Sequence, residues 1–204
     1  MQTLSQFLKP TPLVAILRGI KPDEVIAIGE VLLETGIRII EVPLNSPEPY
    51  QSIHRLAQQF GQNALIGAGT VTTEVELEQV AQAGGKLIVS PHTAPELIRS
   101  TKQRSLLAVP GFFTPSEAIA AIQAGADALK LFPAENAPPG ILKAMRAVLP
   151  KEMPILPVGG ITPGGMLGYF EAGATGFGLG SALYKPGFTP QEVRQQAEAF
   201  IAKL

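Results

Sequence analysis

A single lysine interrupts an apolar segment that otherwise has the composition of a buried β-strand. Lys130 lies in the middle of Ala-Leu-Lys-Leu-Phe-Pro, residues 128–133. Lysine is almost never fully buried unless it is paired or used chemically, and loss of hydration frees its amine to act as a nucleophile near neutral pH. Such amines form Schiff bases with carbonyl substrates. The alternative is a lysine on an edge strand, whose charged head lies in water and opposes aggregation.

Three more polar side chains lie within or just after other apolar segments. Glu41 is flanked by isoleucines and a valine, Arg18 follows the apolar run at 13–17, and Thr70 follows Gly69. An imine-forming enzyme needs an amine, an acid-base group and a cation for a carboxylate, and the planar fork of arginine binds carboxylates in a bidentate manner. Each residue has a plainer alternative. Glu41 can simply pair with Lys130, which is weak evidence for stability; Arg18 can cap a rim, and Thr70 can start a helix.

Two glycine-containing segments near the C-terminus predict an anion site. Gly159 and Gly160 end one apolar strand directly before a helix start, and Gly180 and Ser181 end the next strand. Backbone amides that point from such loops form a cradle for anions, and barrels often bind phosphate with the loops after strands seven and eight. The alternative is that these glycines only make tight turns.

Short apolar strands alternate with helical stretches, and this order predicts the frame that positions these residues. Strands are predicted at 13–17, 37–42, 65–68, 87–90, 106–109, 128–132, 155–158 and 176–179, with helices such as 23–34 and 190–204 between and after them. Prolines mark helix starts near Pro22, Pro47, Pro115 and Pro163, and glycines mark helix ends at Gly36, Gly84, Gly125 and Gly173. The pattern predicts a parallel sheet closed into a (β/α)8 TIM barrel, as a single domain over residues 1–204. Active sites of such barrels lie at the C-terminal ends of the strands, where the polar residues above would meet.

Composition excludes several classes of function. The 204 residues are 46% hydrophobic and 16% charged, enough for one sizeable core. Net charge of -1 gives no basic surface for nucleic acid. No apolar run approaches the roughly 20 residues that span a membrane, and the first ten residues do not predict a signal peptide. The chain has no cysteine and 2 histidines, so we expect neither disulfides nor a thiolate or histidine-rich metal site.

The chain resembles the aldolases that cleave 2-keto-3-deoxy-6-phospho sugar acids, over nearly its whole length. The resemblance lies in Glu-Val-Pro-Leu-Asn-Ser at 41–46, Ile-Gly-Ala-Gly-Thr-Val at 66–71 and Leu-Lys-Leu-Phe-Pro-Ala at 129–134, between Ala-Ile-Leu-Arg-Gly-Ile at 15–20 and Gly-Leu-Gly-Ser at 178–181. It implies a cytoplasmic, homotrimeric class I aldolase without metal or other cofactor. It further implies that Lys130 forms the Schiff base with pyruvate and that Glu41 moves protons. Arg18 and Thr70 would hold the pyruvate carboxylate, and Gly159, Gly160, Gly180 and Ser181 the phosphate.

Two positions favour one subtype of this family. Members that act on the 6-phosphogluconate derivative tend to have Thr-Leu-Arg after the Glu-Val pair and a threonine before the double glycine. This chain has Pro-Leu-Asn at 43–45 and Val158 instead, which is similar to members acting on the C4 epimer, the 6-phosphogalactonate derivative. Loss of a hydroxyl near C4 weakens discrimination in favour of the gluconate epimer. Three alternatives stay open: a gluconate or 4-hydroxy-2-oxoglutarate aldolase, a phosphate-binding barrel without lyase activity, or an isomerase that uses Glu41 alone.

Overall fold

The computed structural model describes residues 3–204, which form an α/β fold in which all strand pairs are parallel. The strands are β1 (Leu13–Ile16), β2 (Ile39–Pro43), β3 (Leu65–Gly69), β4 (Leu87–Val89), β5 (Leu107–Val109), β6 (Gly111–Phe112), β7 (Leu129–Leu131), β8 (Ile155–Pro157) and β9 (Phe177–Leu179). The predicted strands are confirmed to within two residues at either end, apart from β6, which was not predicted.

Helices connect the strands. They are α1 (Leu4–Leu8), α2 (Val25–Glu34), α3 (Pro49–Phe60), α4 (Glu74–Gln82), α5 (Pro95–Gln103), α6 (Pro115–Gln123), α7 (Pro139–Arg146), α8 (Met166–Glu171) and α9 (Pro190–Ile201). None of these helices is long and apolar enough to cross a bilayer, within the part of the chain that the structure describes.

The strand pairings fall into two sheets rather than one. A six-stranded sheet has the order β5-β4-β3-β2-β1-β9, and a three-stranded sheet has the order β6-β7-β8. Pro110 separates β5 from β6 and lacks the N–H that a continuous ladder would use. A few contacts connect the sheets, among them the bridge between Val158 and Gly178 and the hydrogen bond that Asp127 N–H donates to the Ala108 carbonyl at 2.9 Å.

The strands are apolar on both faces because each face packs against a different layer. In β1, Leu13 and Ala15 pack toward the helices, whereas Val14 packs with Ile39, Leu87 and other strand residues on the opposite face. Parallel sheets covered on both faces have such continuous apolar strands. The opposite face also receives Leu4 and Leu8 from α1. The polar exceptions on these buried strands are therefore the residues to consider for function.

Helix ends follow the sequence signals. Gly36, Gly84, Gly125 and Gly173 each follow a helix end with φ between 89° and 99°, the left-handed conformation that glycine adopts without steric cost. Capping boxes start α4, α6 and α9, where Thr73, Thr114 and Thr189 each accept a hydrogen bond from a backbone N–H three residues later. Three helices start two or three residues later than predicted: α2 begins at Val25, α3 at Pro49 and α8 at Met166. In α3 the delay arises because Glu48 has a left-handed backbone.

Candidate active site

Lys130 is buried at the centre of the three-stranded sheet. It lies in β7, opposite Gly111 of β6 and Leu156 of β8, and only 6% of its surface is exposed. Burial lowers the pKa of the Lys130 amine, and nearby Arg18 lowers it further, while Glu41 acts in the opposite direction. The amine lies 4.8 Å from the ring centroid of Phe132. The structure therefore places a desolvated amine inside the sheet and excludes the exposed edge-strand alternative.

Glu41 is the second ionisable residue that is buried within a strand. It lies in the middle of β2 and is 1% exposed. Burial raises the pKa of its carboxyl group to about 7, although Lys130 and Arg18 both favour the ionised form. Its Oε2 has no hydrogen-bond partner among the described residues. An unpaired buried oxygen costs stability and calls for an explanation such as a catalytic role. The lack of a partner fits an acid-base group better than a structural ion pair.

The space for Glu41 is provided by a glycine on the next strand. A Cβ atom on Gly69, at the end of β3, would lie 1.9 Å from Oε2 of Glu41 and 2.5 Å from its Oε1. Any larger residue would have to displace the carboxylate. Gly69 thus explains, in steric terms, why the motif at 66–71 contains glycine before Thr70.

Arg18 extends from the end of β1 and is held by the loop after β2. Its Nη1 donates a hydrogen bond to Oδ1 of Asn45. The following residue, Gly19, has φ of 83° and donates its backbone N–H to Oγ of Ser46 at 2.9 Å. These two contacts fix the exposed guanidinium relative to the strand that carries Glu41.

A cavity of about 160 Å³ at the strand ends brings together most of the predicted site residues. The predicted residues that line it are Arg18, Lys130, Gly159, Gly160, Gly180 and Ser181. A second, smaller cavity of about 20 Å³ lies beneath and is lined by both Glu41 and Lys130. Lys130 lines both spaces and so connects the buried carboxylate to the open mouth.

Thr70 is the predicted site residue that lines neither cavity. It is half-buried directly after β3, and its φ of 59° is left-handed. Non-glycine residues seldom adopt this conformation, and it often marks functional positions. The strained backbone next to Gly69 is the structural feature that distinguishes Thr70 from an ordinary helix start.

The two glycine loops differ in why they need glycine. Gly159 and Gly160 have φ of 107° and 64°, so their backbone conformation alone favours glycine. A Cβ on Gly160 would also lie 2.4 Å from Cγ of Glu135. Gly180, in contrast, has ordinary φ, and a Cβ atom there would have nothing within 4 Å. Neither its conformation nor its packing requires glycine.

Two wall residues were not singled out from the sequence. Phe132 and Glu135 line the larger cavity and are both exposed. Both follow Lys130 within five residues, at the C-terminal end of the strand where a barrel site is expected. That position was the available signal. Within residues 3–204, no group of three or more histidine, aspartate and glutamate side chains is arranged to hold a metal ion.

Comparison with known proteins places these features in one family. The sequence model described as "KDPG and KHG aldolase" matches residues 4–199. A protein of Rhizobium meliloti named "Probable 2-dehydro-3-deoxy-6-phosphogalactonate aldolase" is 47% identical over 94% of this chain and 90% of its own length. The Escherichia coli 2-dehydro-3-deoxy-6-phosphogalactonate aldolase is 43% identical over 93% of each chain.

Solved structures give the same result. One described as "Native KDPGal structure" superimposes with a TM-score of 0.93, at 41% identity over 100% of this chain and 96% of the other. A KDPG aldolase from Legionella pneumophila, with pyruvate captured at low pH as a covalent carbinolamine intermediate, superimposes with a TM-score of 0.79 at 27% identity, over 95% of this chain and 94% of the other. A carbinolamine is the adduct that precedes an imine.

Proposed function

The chain belongs to the KDPG and KHG aldolase family, and we propose that it is a class I aldolase for 2-dehydro-3-deoxy-6-phospho-D-galactonate. The products are pyruvate and D-glyceraldehyde 3-phosphate. The observation that carries the proposal is the buried Lys130 amine, which lines one cavity with Glu41 and a second with Arg18 and the glycine loops. A phosphate-binding protein without lyase activity would have no use for this amine.

In the first step, the Lys130 amine attacks the keto carbon at C2. Loss of water from the carbinolamine gives a protonated imine, which withdraws electrons from C3. This cation supplies the electrophilic assistance that a Lewis acid would otherwise give. Because burial lowers the pKa of Lys130, more of the amine is uncharged and able to attack at neutral pH.

Glu41 then moves the protons. Its carboxylate takes the proton of the C4 hydroxyl, the C3–C4 bond breaks, and the bonding electrons pass to the imine to give an enamine and a free aldehyde. Glu41 returns a proton to C3, and hydrolysis releases pyruvate. Burial places the pKa of Glu41 at about 7, close to the operating pH at which an acid-base group is most effective.

The remaining residues bind the two ends of the substrate. Arg18 and Thr70 hold the carboxylate of the pyruvate half, and the fixed guanidinium of Arg18 suits a bidentate contact. The loops with Gly159, Gly160, Gly180 and Ser181 hold the phosphate through backbone N–H groups and the Ser181 hydroxyl. Open space beside Gly180 supports a close approach of phosphate there.

We also propose that the two sheets are one closed (β/α)8 barrel, which forms a single domain. The bridge between Val158 and Gly178 supports closure on one side. On the other side, Lys130 N–H donates to the Pro110 carbonyl at 2.9 Å, across the interruption between β5 and β6. Pro110 divides the fifth barrel strand into two short pieces without removing it from the ring.

A homotrimer is the assembly we expect for this enzyme. Large apolar side chains lie exposed on helices of the outer layer, namely Ile119, Ile141 and Leu167, and on the turn after α7, at Val148. Such exposure is typical of surfaces that bind protein. Sedimentation should give three times the mass of the 21.5 kDa chain. A monomer at micromolar concentration would contradict this assembly. We place the enzyme in the cytoplasm, because its phosphorylated substrate does not cross membranes unaided.

The substrate proposal is tested by release of pyruvate from the two C4-epimeric 6-phosphates. We expect faster cleavage of the galactonate epimer, with some activity on the gluconate epimer, because Val158 cannot donate a hydrogen bond near C4. Lys130→Ala is the control and should release no pyruvate from either. Equal or better turnover of the gluconate substrate would keep the aldolase and contradict the substrate preference.

A further inference from the structure

Leu4 lies far from the open mouth of the site, yet it contacts the same small cavity as the catalytic pair. It belongs to the short helix α1 and is 3% exposed. It packs in one cluster with Leu65, Leu87 and Leu107, which are the first residues of their strands. Leu4 therefore approaches Lys130 and Glu41 from the N-terminal end of the sheet, opposite to the substrate.

The cavity that Leu4 shares with the pair is nearly free of space for water. Its volume is about 20 Å³, which is room for one water molecule at most. Apart from Lys130 and Glu41, its side chains are apolar, including Val14, Val89 and Leu156. The unpaired Oε2 of Glu41 would gain a hydrogen bond from any further water that entered.

A much larger cavity lies on the other side of the first turn of α1. It has a volume of about 330 Å³ and is lined by Thr3, Leu65, Leu107 and Ser105, together with the charged side chains of Lys86, Lys102 and Asp127. Thr3 and Leu4 are neighbours in sequence, and each lines a different cavity. The first turn of α1 is thus the partition between a polar space and the space beneath the catalytic pair.

We propose that Leu4 is a positioning residue, which keeps water in the polar cavity from reaching Lys130 and Glu41. The proposal rests on the aldolase function given above. Charged groups that face the pair from the mouth side are Arg18 of the loop after β1 and Glu135 of the loop after β7. From the α1 side, Leu4 and the strand residues around it present only apolar atoms to the pair.

The chemical consequence concerns the charge state of the pair. Exclusion of water on the α1 side favours the uncharged amine and the protonated carboxyl group over the ammonium and carboxylate. Water admitted past residue 4 would favour the charged forms, so the fraction of free amine would fall. Imine formation would then slow, although no residue that touches substrate had been changed.

Leu4→Ser tests this proposal through the pyruvate half-reaction. The enzyme with C3-deuterated pyruvate in H2O should exchange deuterium through the enamine, and NMR follows the exchange at each pH. In the plot of exchange rate against pH, the rise that reports loss of the Lys130 proton should move to higher pH by about one unit in Leu4→Ser. Exchange at neutral pH should be about tenfold slower. Leu4→Met, which keeps an apolar side chain of similar volume at this position, should have the same pH profile as the wild type.

Leu8 provides the matched control. It lies on the same helix, is 5% exposed, and lines a cavity with Ser5, Lys9 and Pro12 that contains neither Lys130 nor Glu41. We expect Leu8→Ser to lower the melting temperature as much as Leu4→Ser, yet to change exchange by less than about twofold and leave the pH profile in place.

An unchanged profile in Leu4→Ser, or the same shift in Leu8→Ser, would overturn the proposal. If Leu4→Ser does not fold, Leu4→Ala carries the same prediction with a smaller shift, judged against Leu8→Ala. Failure of the wild-type enzyme to exchange deuterium would instead refute the aldolase function itself, so the two outcomes are distinguishable.

Discussion

At the scale of a single residue, the buried carboxyl group of Glu41 links its proposed acid-base role to the stability of the fold. Burial raises its pKa from 4.5 to about 7, with Lys130 and Arg18 opposing the change only in part. The folded chain therefore retains a proton that the unfolded chain releases as pH rises from 4.5 to 7. Stability contributed by this group is complete below pH 4.5 and is lost as pH rises through 7.

The raised pKa of Glu41 determines how the free energy of unfolding depends on pH. Between pH 4.5 and pH 8, the free energy of unfolding of the wild type should fall by about 3 kcal/mol relative to that of Glu41→Gln, because the amide has no proton to lose. Urea denaturation across this range, at fixed protein concentration, measures the difference. The exposed Glu171 supplies the control, since Glu171→Gln should keep the wild-type slope. Parallel curves for wild type and Glu41→Gln would contradict the raised pKa.

Gly69 gives a second prediction, in which a side chain added at a neighbouring position displaces the Glu41 carboxylate that we propose as the acid-base group. In Gly69→Ala, the new methyl group overlaps Oε2 of Glu41, so the carboxylate must leave its place. We expect loss of activity of about 10²-fold or more, the range for removal of positioned acid-base catalysis, with Lys130 still able to bind pyruvate. Gly140→Ala is the control, because nothing lies within 4 Å of its Cβ position. Equal activity of both variants would show that Glu41 does not need this position.

At the scale of elements, the sequence predicted those parts of the fold that local chemistry controls. Glycines after four helices were identified from the sequence because the left-handed turn depends on that residue alone. Tertiary contacts decide the other cases. Pro110 divides the fifth strand because a neighbouring strand would otherwise accept a hydrogen bond from the N–H that proline lacks. Helix α1 is too short for a periodic signal and gains its stability from packing against strand residues.

One arginine joins three elements and predicts a purely structural effect. Arg146, at the end of α7, donates to the Gly173 carbonyl at 2.9 and 2.6 Å, and to the Met153 carbonyl at 2.8 Å. Arg146→Ala leaves these carbonyls without their charged donor, so we expect the free energy of unfolding to fall by about 2–3 kcal/mol. Activity per folded molecule should not change. Lys143→Ala, on the exposed face of the same helix, should cost less than about 0.5 kcal/mol, and a similar loss in both would contradict this role.

For the whole molecule, the grouping of the candidate residues was predictable because strand ends in an α/β fold meet at one edge. Arg18, Glu41 and Lys130 are far apart in sequence, yet each lies within or just after a strand. The parallel order alone brings their side chains to one end. The sequence did not reveal which side chains close the cavity between them. Phe132 and Glu135 line the larger cavity, whereas Leu4 lines the smaller one through helix packing that sequence spacing does not determine.

The central claim is that the amine of Lys130 forms an imine with pyruvate. Borohydride added to the enzyme with pyruvate should reduce that imine, and peptide mass mapping should locate the added mass on Lys130. Lys102→Ala, which removes a lysine from the opposite end of the sheet, should be labelled as the wild type is, while Lys130→Ala should not be labelled. Labelling of Lys130 alone is the result we expect. Absence of label on wild-type Lys130, or equal labelling of Lys130→Ala, would contradict the account.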